Sequence, residues 1–250
     1  MSQEPIAVWL TPNPIFHGFH SPLLSYLSQA GPIAHWEYLQ NQDEAASLDN
    51  ALASVQDYLE TLSQPIHLIG HGIGGWLGLL YTRQFPEKIQ SLTLLGVGVD
   101  PALDWQAYYY SLFKHLHCPQ QMILEQIVYS LFGEQNRTMT RYLLEILRQD
   151  LLSSPSPHSL YQQINAEEGG VDVPLFVCGS ENDLIVPPTA IKSWRKYLHQ
   201  RDRVWLMPYG HHFFHYFYPS LVTPQILEFW EFSETNSNHY LPSFQNMALG

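Results

Sequence analysis

Ile66-His67-Leu68-Ile69-Gly70-His71-Gly72-Ile73-Gly74-Gly75 is the stretch on which the organisation of this chain turns. Its first four residues form a short apolar run that suits a buried strand. The dense glycines at Gly70–Gly75 break that strand. Trp76–Phe85 then continues as a helix and stops before Pro86, where a proline disfavours helical backbone in the residue ahead of it. A second apolar run, Ile89–Leu95, follows at once. Strand, sharp turn, helix and strand in that order describe a crossover between parallel neighbours.

The same alternation extends outward. Ile6–Leu10 reads as a buried strand that ends at Thr11-Pro12-Asn13-Pro14, since proline cannot donate to a ladder. Ile33–Tyr38 is a further candidate strand. Residues 47–63 place Leu48, Ala51, Leu52, Val55, Leu59 and Leu62 at helical spacing, with Asp49, Asp57 and Glu60 off that face. On the other side of the glycine turn, residues 100–165 contain no strand pattern and read as three helical pieces, Trp105–His115, Pro119–Phe132 and Thr138–Leu152. Strand character returns at Val173–Cys178 and Val204–Met207, with helices near Thr189–His199 and Thr223–Phe232. Alternating apolar strands and helices predict a parallel sheet covered on both faces. The expected division is an α/β core at residues 1–99 and 171–232, a helical cap at 100–170 and a polar tail at 233–250.

Composition narrows the function classes. Across 250 residues, 11 Lys+Arg stand against 23 Asp+Glu, a formal net charge of −12. No Lys or Arg occurs before Arg83, whereas Lys192, Arg195, Lys196, Arg201 and Arg203 cluster late in the chain. Nucleic acid and anionic membrane surfaces demand concentrated positive charge over a broad face, so neither is an expected partner. Cys118 and Cys178 are too few and too far apart for a disulfide framework or a zinc site, which permits a reducing compartment. The start of the chain does not read as a signal peptide and no apolar run approaches eighteen residues; the expectation is a cytoplasmic protein without a membrane span.

Three strand ends carry suggestive residues, and in open parallel sheets ligands sit beyond the carboxyl ends of strands. They are Gly70-His71-Gly72-Ile73-Gly74, Gly179-Ser180-Glu181-Asn182-Asp183 and Gly210-His211-His212. Here the sequence resembles the α/β-hydrolase family. Gly70–Gly74 matches the strand–G-x-S-x-G–helix nucleophile elbow, Gly179–Asp183 looks like the family's acid turn and Gly210-His211 looks like its histidine turn. Phe85-Pro86-Glu87-Lys88-Ile89 is similar to the stretch after the elbow helix, and the chain order agrees. The resemblance covers roughly residues 5–232. It implies the fold, a cap at 100–170, and Asp183 and His211 as acid and base.

The departure is at the nucleophile. Gly72 stands where the family has Ser, Cys or Asp, and glycine cannot form a covalent intermediate. The family's oxyanion donors correspond to the N–H of Ile73 and to the loop after the first strand. In that loop Pro12 and Pro14 lack an N–H, which leaves Asn13 as the candidate. His17-Gly18 is similar to the family's dipeptide but lies past the strand end. Cys178 reads as a core thiol, Ser180 as part of the acid turn and Asp100 as a loop residue. His211, His212 and His215 have no carboxylate or cysteine at ligand spacing, so no metal and no other cofactor is expected. Trp105, Tyr109, Phe113, Tyr129 and Phe132 in the cap either pack it on the sheet or line an apolar ligand pocket.

Three functions fit these residues. One is a pseudo-hydrolase that binds a neutral apolar small molecule or a protein partner. The second is an enzyme that uses His211, oriented by Asp183, as a general base without a covalent intermediate, as in the cofactor-independent oxygenases and lyases that the fold also hosts. The third is weak hydrolysis by a water in the space left by Gly72.

Overall fold

A computed structural model describes residues 4–39, 47–162 and 164–237. Six parallel strands form one sheet: β1 (Ala7–Thr11), β2 (Ile33–Glu37), β3 (Ile66–His71), β4 (Ile89–Leu95), β5 (Leu175–Ser180) and β6 (Arg203–Met207), in the spatial order β2-β1-β3-β4-β5-β6. The order reverses between β1 and β3, so the carboxyl ends of the central strands open onto a crevice.

Residue alternation along the strands separates two cores. Val8, Leu10, Leu68, Leu92, Leu94, Leu175 and Val177 face one side. Ala7, Trp9, Ile69, Leu95, Phe176 and Cys178 face the other. This is the two-residue period of a strand buried on both faces. The first face is covered by α2 (Leu48–Leu59), α3 (Ile73–Gln84) and α7 (Pro188–Lys192) through Ala51, Val55, Trp76, Leu77 and Ile191. The second is covered by α1 (His17–Leu27) and α9 (Pro219–Ser237) through Leu23, Leu27, Val222, Ile226 and Phe229. Three helices, α4 (Trp105–His115), α5 (Gln120–Phe132) and α6 (Arg137–Ser153), lie between β4 and β5 in the chain, where the helical insertion was expected.

Some elements differ from the sequence reading. α1 is absent from that reading, because Gly18 and Pro22 interrupt its pattern; Pro22 sits inside the helix, with Phe19, Leu23 and Leu27 on the buried side. The short α8 (Phe214–Phe217) is also new. The helix expected at Thr189–His199 is only α7 followed by a 3-10 turn at Ser193–Lys196. α9 reaches Ser237, into the expected tail; the rest of that tail lies outside the described residues.

The turn from β3 into α3 sets the geometry of everything near the crevice. Gly72 has φ 52° and ψ −124°, in the left-handed half of backbone space that glycine enters without a Cβ penalty. Two residues on, α3 descends so closely on β1 that a Cβ on Gly74 would collide with the Leu10 carbonyl oxygen and lie 3.1 Å from Pro12 Cδ. Gly74→Ala should therefore destabilise the protein by about 1–3 kcal/mol, the usual range for overpacking. Gly18→Ala, in open space on α1, should change stability by less than about 1 kcal/mol in the favourable direction. Urea denaturation of both variants checks this, and equal stability of Gly74→Ala and wild type would refute the packing argument.

Candidate functional site

Asp183 follows β5 and His212 follows β6, two adjacent strands, so the topology alone brings their turns together. Asp183 Oδ1 accepts the backbone N–H groups of Ile185 (2.8 Å) and Val186 (3.0 Å). Its other oxygen, Oδ2, accepts from His212 Nδ1 at 2.8 Å, with both residues buried. A carboxylate so held takes the Nδ1–H tautomer and leaves the lone pair on Nε2. A Cβ placed on Gly72 would lie 3.8 Å from that Nε2. The pair is aimed at the elbow, and the elbow presents no atom to receive it.

The histidine at this position is His212 and not His211, the residue expected from the sequence. Gly210 (φ 113°) and His211 (φ 54°) turn the chain through the left-handed region, so the two neighbouring rings diverge. The backbone N–H of His211 is held by Asn182 Oδ1 at 3.0 Å, and its ring meets Tyr129 of the cap edge-on at 5.9 Å. A non-glycine residue in that region carries strain of order 1–3 kcal/mol.

The oxyanion candidates divide. Ile73 opens α3, so its N–H belongs to the first turn that a helix leaves unpaired, and it lines the crevice. Asn13 also lines it, but its side-chain amide is committed elsewhere: Nδ2 donates to Asp150 Oδ1 (2.6 Å) and Ser153 Oγ (3.1 Å), while Oδ1 accepts from Ile15 N–H (3.2 Å). His17 of the His-Gly dipeptide is tied to Glu37 at 2.8 Å on the surface. Cys178 is buried in β5, and desolvation pushes its thiol well above the ordinary range. Ser180 donates to Asn182, and Asp100 accepts backbone N–H groups of its own loop and of Ala166.

Above Gly72 lies a cavity of about 60 Å³. One water needs roughly 10–15 Å³ on this measure, so there is room for a few waters or a small ligand. Trp105 is the only expected cap aromatic in its wall. Tyr109 is buried within the cap and accepts a hydrogen bond from Gln120; Phe113 and Tyr129 are exposed; Phe132 stacks on Phe213 at 4.5 Å and reaches the cavity only through that ring. The wall is more polar than the sequence suggested, with Asp104, Asp150, His20, His71 and Ser154 all present. Asp150 had a legible signal: it is an acid at i+3 from Leu147 and i+7 from Leu143 on the buried face of α6. His20 had none while α1 went unread.

Asp150 ties α6 to α4 and to the loop after β1. Besides the Asn13 amide, its carboxylate accepts from Trp105 Nε1 (3.0 Å) and Gln106 Nε2 (2.9 Å), both on α4. Burial outweighs these donors and raises the group to about 7. Burial also raises Asp104, which caps α4 by accepting from Ala107 N–H at 2.7 Å. The histidines move the other way. Burial, with His35 and His17 adding to it, lowers His20 to about 3; burial and the neighbouring rings hold His71 and His215 well below the ordinary range.

No family model matches the chain. It is 40% identical over 231 residues to the uncharacterized protein alr2406 of Nostoc sp. and 41% identical over 230 residues to the uncharacterized protein sll0249 of Synechocystis sp., covering 92% of each pair of chains. Among solved structures it superposes on a meta-cleavage product hydrolase from Pseudomonas fluorescens (TM-score 0.69, 14% identity, 92% of this chain and 91% of that one). It also superposes on a thermophilic esterase (0.68, 14%, 92% and 91%) and a putative non-heme bromoperoxidase from Mycobacterium tuberculosis (0.63, 15%, 92% and 93%). The fold is the α/β-hydrolase fold. Among the described residues, no helix is long and apolar enough to cross a membrane.

The buried groups give opposite pH signatures. His20 is unprotonated in the fold down to about pH 3, while an unfolded histidine protonates below 6.5, so stability falls as pH drops below 6.5. From this ring alone the loss at pH 5 is about 2 kcal/mol. Asp150 keeps its proton in the fold up to about pH 7 but loses it near 3.8 when unfolded, so its contribution is complete below 3.8 and is lost as pH rises through 7. His20→Gln should therefore flatten the acid-side loss, and Asp150→Asn should steepen it. Urea denaturation between pH 5 and 7.5 reads both slopes, and slopes that move together would contradict the assignment.

Proposed function

From the premise that this chain belongs to the family of the Nostoc and Synechocystis proteins and has the α/β-hydrolase fold, we propose that it is a non-hydrolytic member that binds a small neutral molecule in the cavity over Gly72. The observation that carries this reading is the elbow itself. Backbone, histidine and acid are arranged for an acyl-transfer nucleophile, and the residue at that point has no side chain. Neither Cys178, which faces the core behind the sheet, nor Ser180, which is bonded within the acid turn, takes over the role.

The wall favours a neutral ligand. Among the described residues it contains no Lys or Arg to clamp a carboxylate or phosphate. Trp105, Phe16 and Phe213 supply apolar area, while Thr11, Ser154 and the imidazoles supply hydrogen bonds. A ligand of a few non-hydrogen atoms with one or two polar groups fits both volume and lining. Of the cations at 192–203, Lys192 already pairs with Glu181 and Arg203 with Glu228, which weighs against a protein partner docking there through charge.

The 2.8 Å His212–Asp183 contact favours a second reading, in which His212 takes a proton from a bound substrate with no covalent intermediate. His212→Ala separates the two. Ligand affinity within a few-fold of wild type, with no loss of any turnover, fits a binding protein; abolished turnover with retained affinity fits a base.

Wild-type protein should resist a serine-directed fluorophosphonate and should not turn over simple esters; labelling above the level of a denatured control would refute the reading. Gly72→Ser should lose about 1–3 kcal/mol of stability to the left-handed backbone. Its Cβ would lie 3.8 Å from His212 Nε2, which puts the hydroxyl it carries within reach of that ring, so it should gain labelling that His212→Ala in the same chain removes.

A further inference from the structure

Three histidines that the acid–base pair leaves aside stand together beside the cavity. His20 comes from α1, His71 from the last position of β3 and His215 from α8. All are buried. His20 Nδ1 and His215 Nε2 are 3.0 Å apart, and the His71 ring lies 4.5 Å from His215 and 5.6 Å from His20, centroid to centroid. Each ring offers one nitrogen within 4.8 Å of the other two. We propose that His20, His71 and His215 form a binding site for a divalent transition-metal ion of the zinc class, with a further coordination position open to the cavity above Gly72.

The proton accounting supports a cation. The contact of His71 Nε2 with the His212 carbonyl oxygen (3.1 Å) must be donated by the ring, which leaves the lone pair on Nδ1. A backbone carbonyl that fixes the tautomer of a ligating histidine is the usual outer partner in metal sites. The facing nitrogens of His20 and His215 have room for a single proton between them, which a metal would displace. His215 Nδ1 is buried without a hydrogen-bond partner among the described residues, so no other contact there dictates which nitrogen that ring presents. Burial keeps all three rings neutral, the form that binds metal.

Geometry and chemistry agree on the class. Zinc–nitrogen bonds near 2.0–2.1 Å put tetrahedral neighbours about 3.4 Å apart, so rotations of roughly an ångström close the present spacing. Trp9, 5.0 Å from His20 and 5.9 Å from His215, and Phe213, 4.7 Å from His71, enclose the rings. A set of imidazoles without carboxylates suits zinc, copper or nickel and does not suit magnesium or calcium. His20 and His71 also line the cavity, so water or a small ligand there reaches the vacant position. Three protein ligands with one exchangeable position is the pattern of reactive and not of purely structural zinc sites.

A second group, His17, His35 and Glu37, lies on the surface. It is explained by the ion-pair geometry of its own carboxylate, 2.8 Å from His17 and 3.5 Å from His35, and serves as the control.

The three rings would hold the ion whether or not the cavity's occupant is processed. Chelator-stripped full-length protein is titrated with Co²⁺ and Zn²⁺. The expected result is one tight equivalent, visible cobalt bands of a tetrahedral type that Zn²⁺ bleaches, and a metal-dependent rise in Tm. His71→Asn and His215→Gln, each checked for folding by circular dichroism, should weaken binding at least about 100-fold, beyond what outer partners contribute. Glu37→Gln should leave it unchanged. Absence of stoichiometric binding in the wild type, or loss of binding in Glu37→Gln, overturns the proposal. If the buried variants do not fold, the cobalt bands of Glu37→Gln decide it: bands that persist support the buried site and bands that vanish refute it.

Discussion

The descent of α3 onto β1 is the constraint on which the rest depends. At Gly74 the helix backbone and the Leu10 carbonyl approach to a distance no Cβ permits. That contact fixes where α3 starts, hence where Gly72 turns and where the Ile73 N–H points. The neighbouring strands are locked to the same point. Gly72 N–H donates to Leu95 O at 3.0 Å, and Gly96 N–H donates to Cys178 O at 2.8 Å, so the ladder continues past the strand ends into the turns. Asp183 and His212 inherit their positions from the two strands beyond. The site is therefore a property of the sheet's edge geometry and not of any side chain at position 72.

This explains which parts were legible in the sequence. The core strands announce themselves as apolar runs, and the glycine turn announces the close approach, because both follow from local backbone needs. The acid turn was readable for the same reason. The histidine was not: His211 and His212 are adjacent and identical, and only the left-handed turn at Gly210–His211 decides which ring faces inward. The cap misled more broadly. Of its five expected rings only Trp105 reaches the cavity, while Asp104 and Asp150, which also reach it, are acids that composition assigns to the surface. α1 was hidden by Pro22, and with it His20, which no spacing along the chain connects to His71 or His215.

Strain is distributed unusually around the elbow. The elbow position itself carries none of the ordinary penalty, because glycine occupies the left-handed backbone freely. The neighbouring histidine turn keeps such a penalty at His211, where the backbone N–H to Asn182 and the cap contact with Tyr129 hold the conformation. Across the cavity, Asp150 is held by three side-chain donors at a depth where its charge is disfavoured, and buried groups with opposed influences of this kind concentrate at sites that bind or react.

The electrostatics of the cavity then acquire a direction. The chain has no Lys or Arg before Arg83, so the loop after β1, α1 and the turn at Gly72 contribute no fixed positive charge. Opposite them stand Asp104 and Asp150, and between them lie four buried imidazoles, His20, His71, His212 and His215. One of these, His212, is matched by Asp183. Among the described residues the other three meet each other, a backbone carbonyl and aromatic walls, which makes protonation the wrong way to bring positive charge into this region. A divalent ion supplies that charge through lone pairs the rings already present, and it does so beside the space that Gly72 leaves empty. The glycine at position 72 and the proposed coordination site then lie side by side: a turn with no side chain, and a coordination position that can hold what enters there.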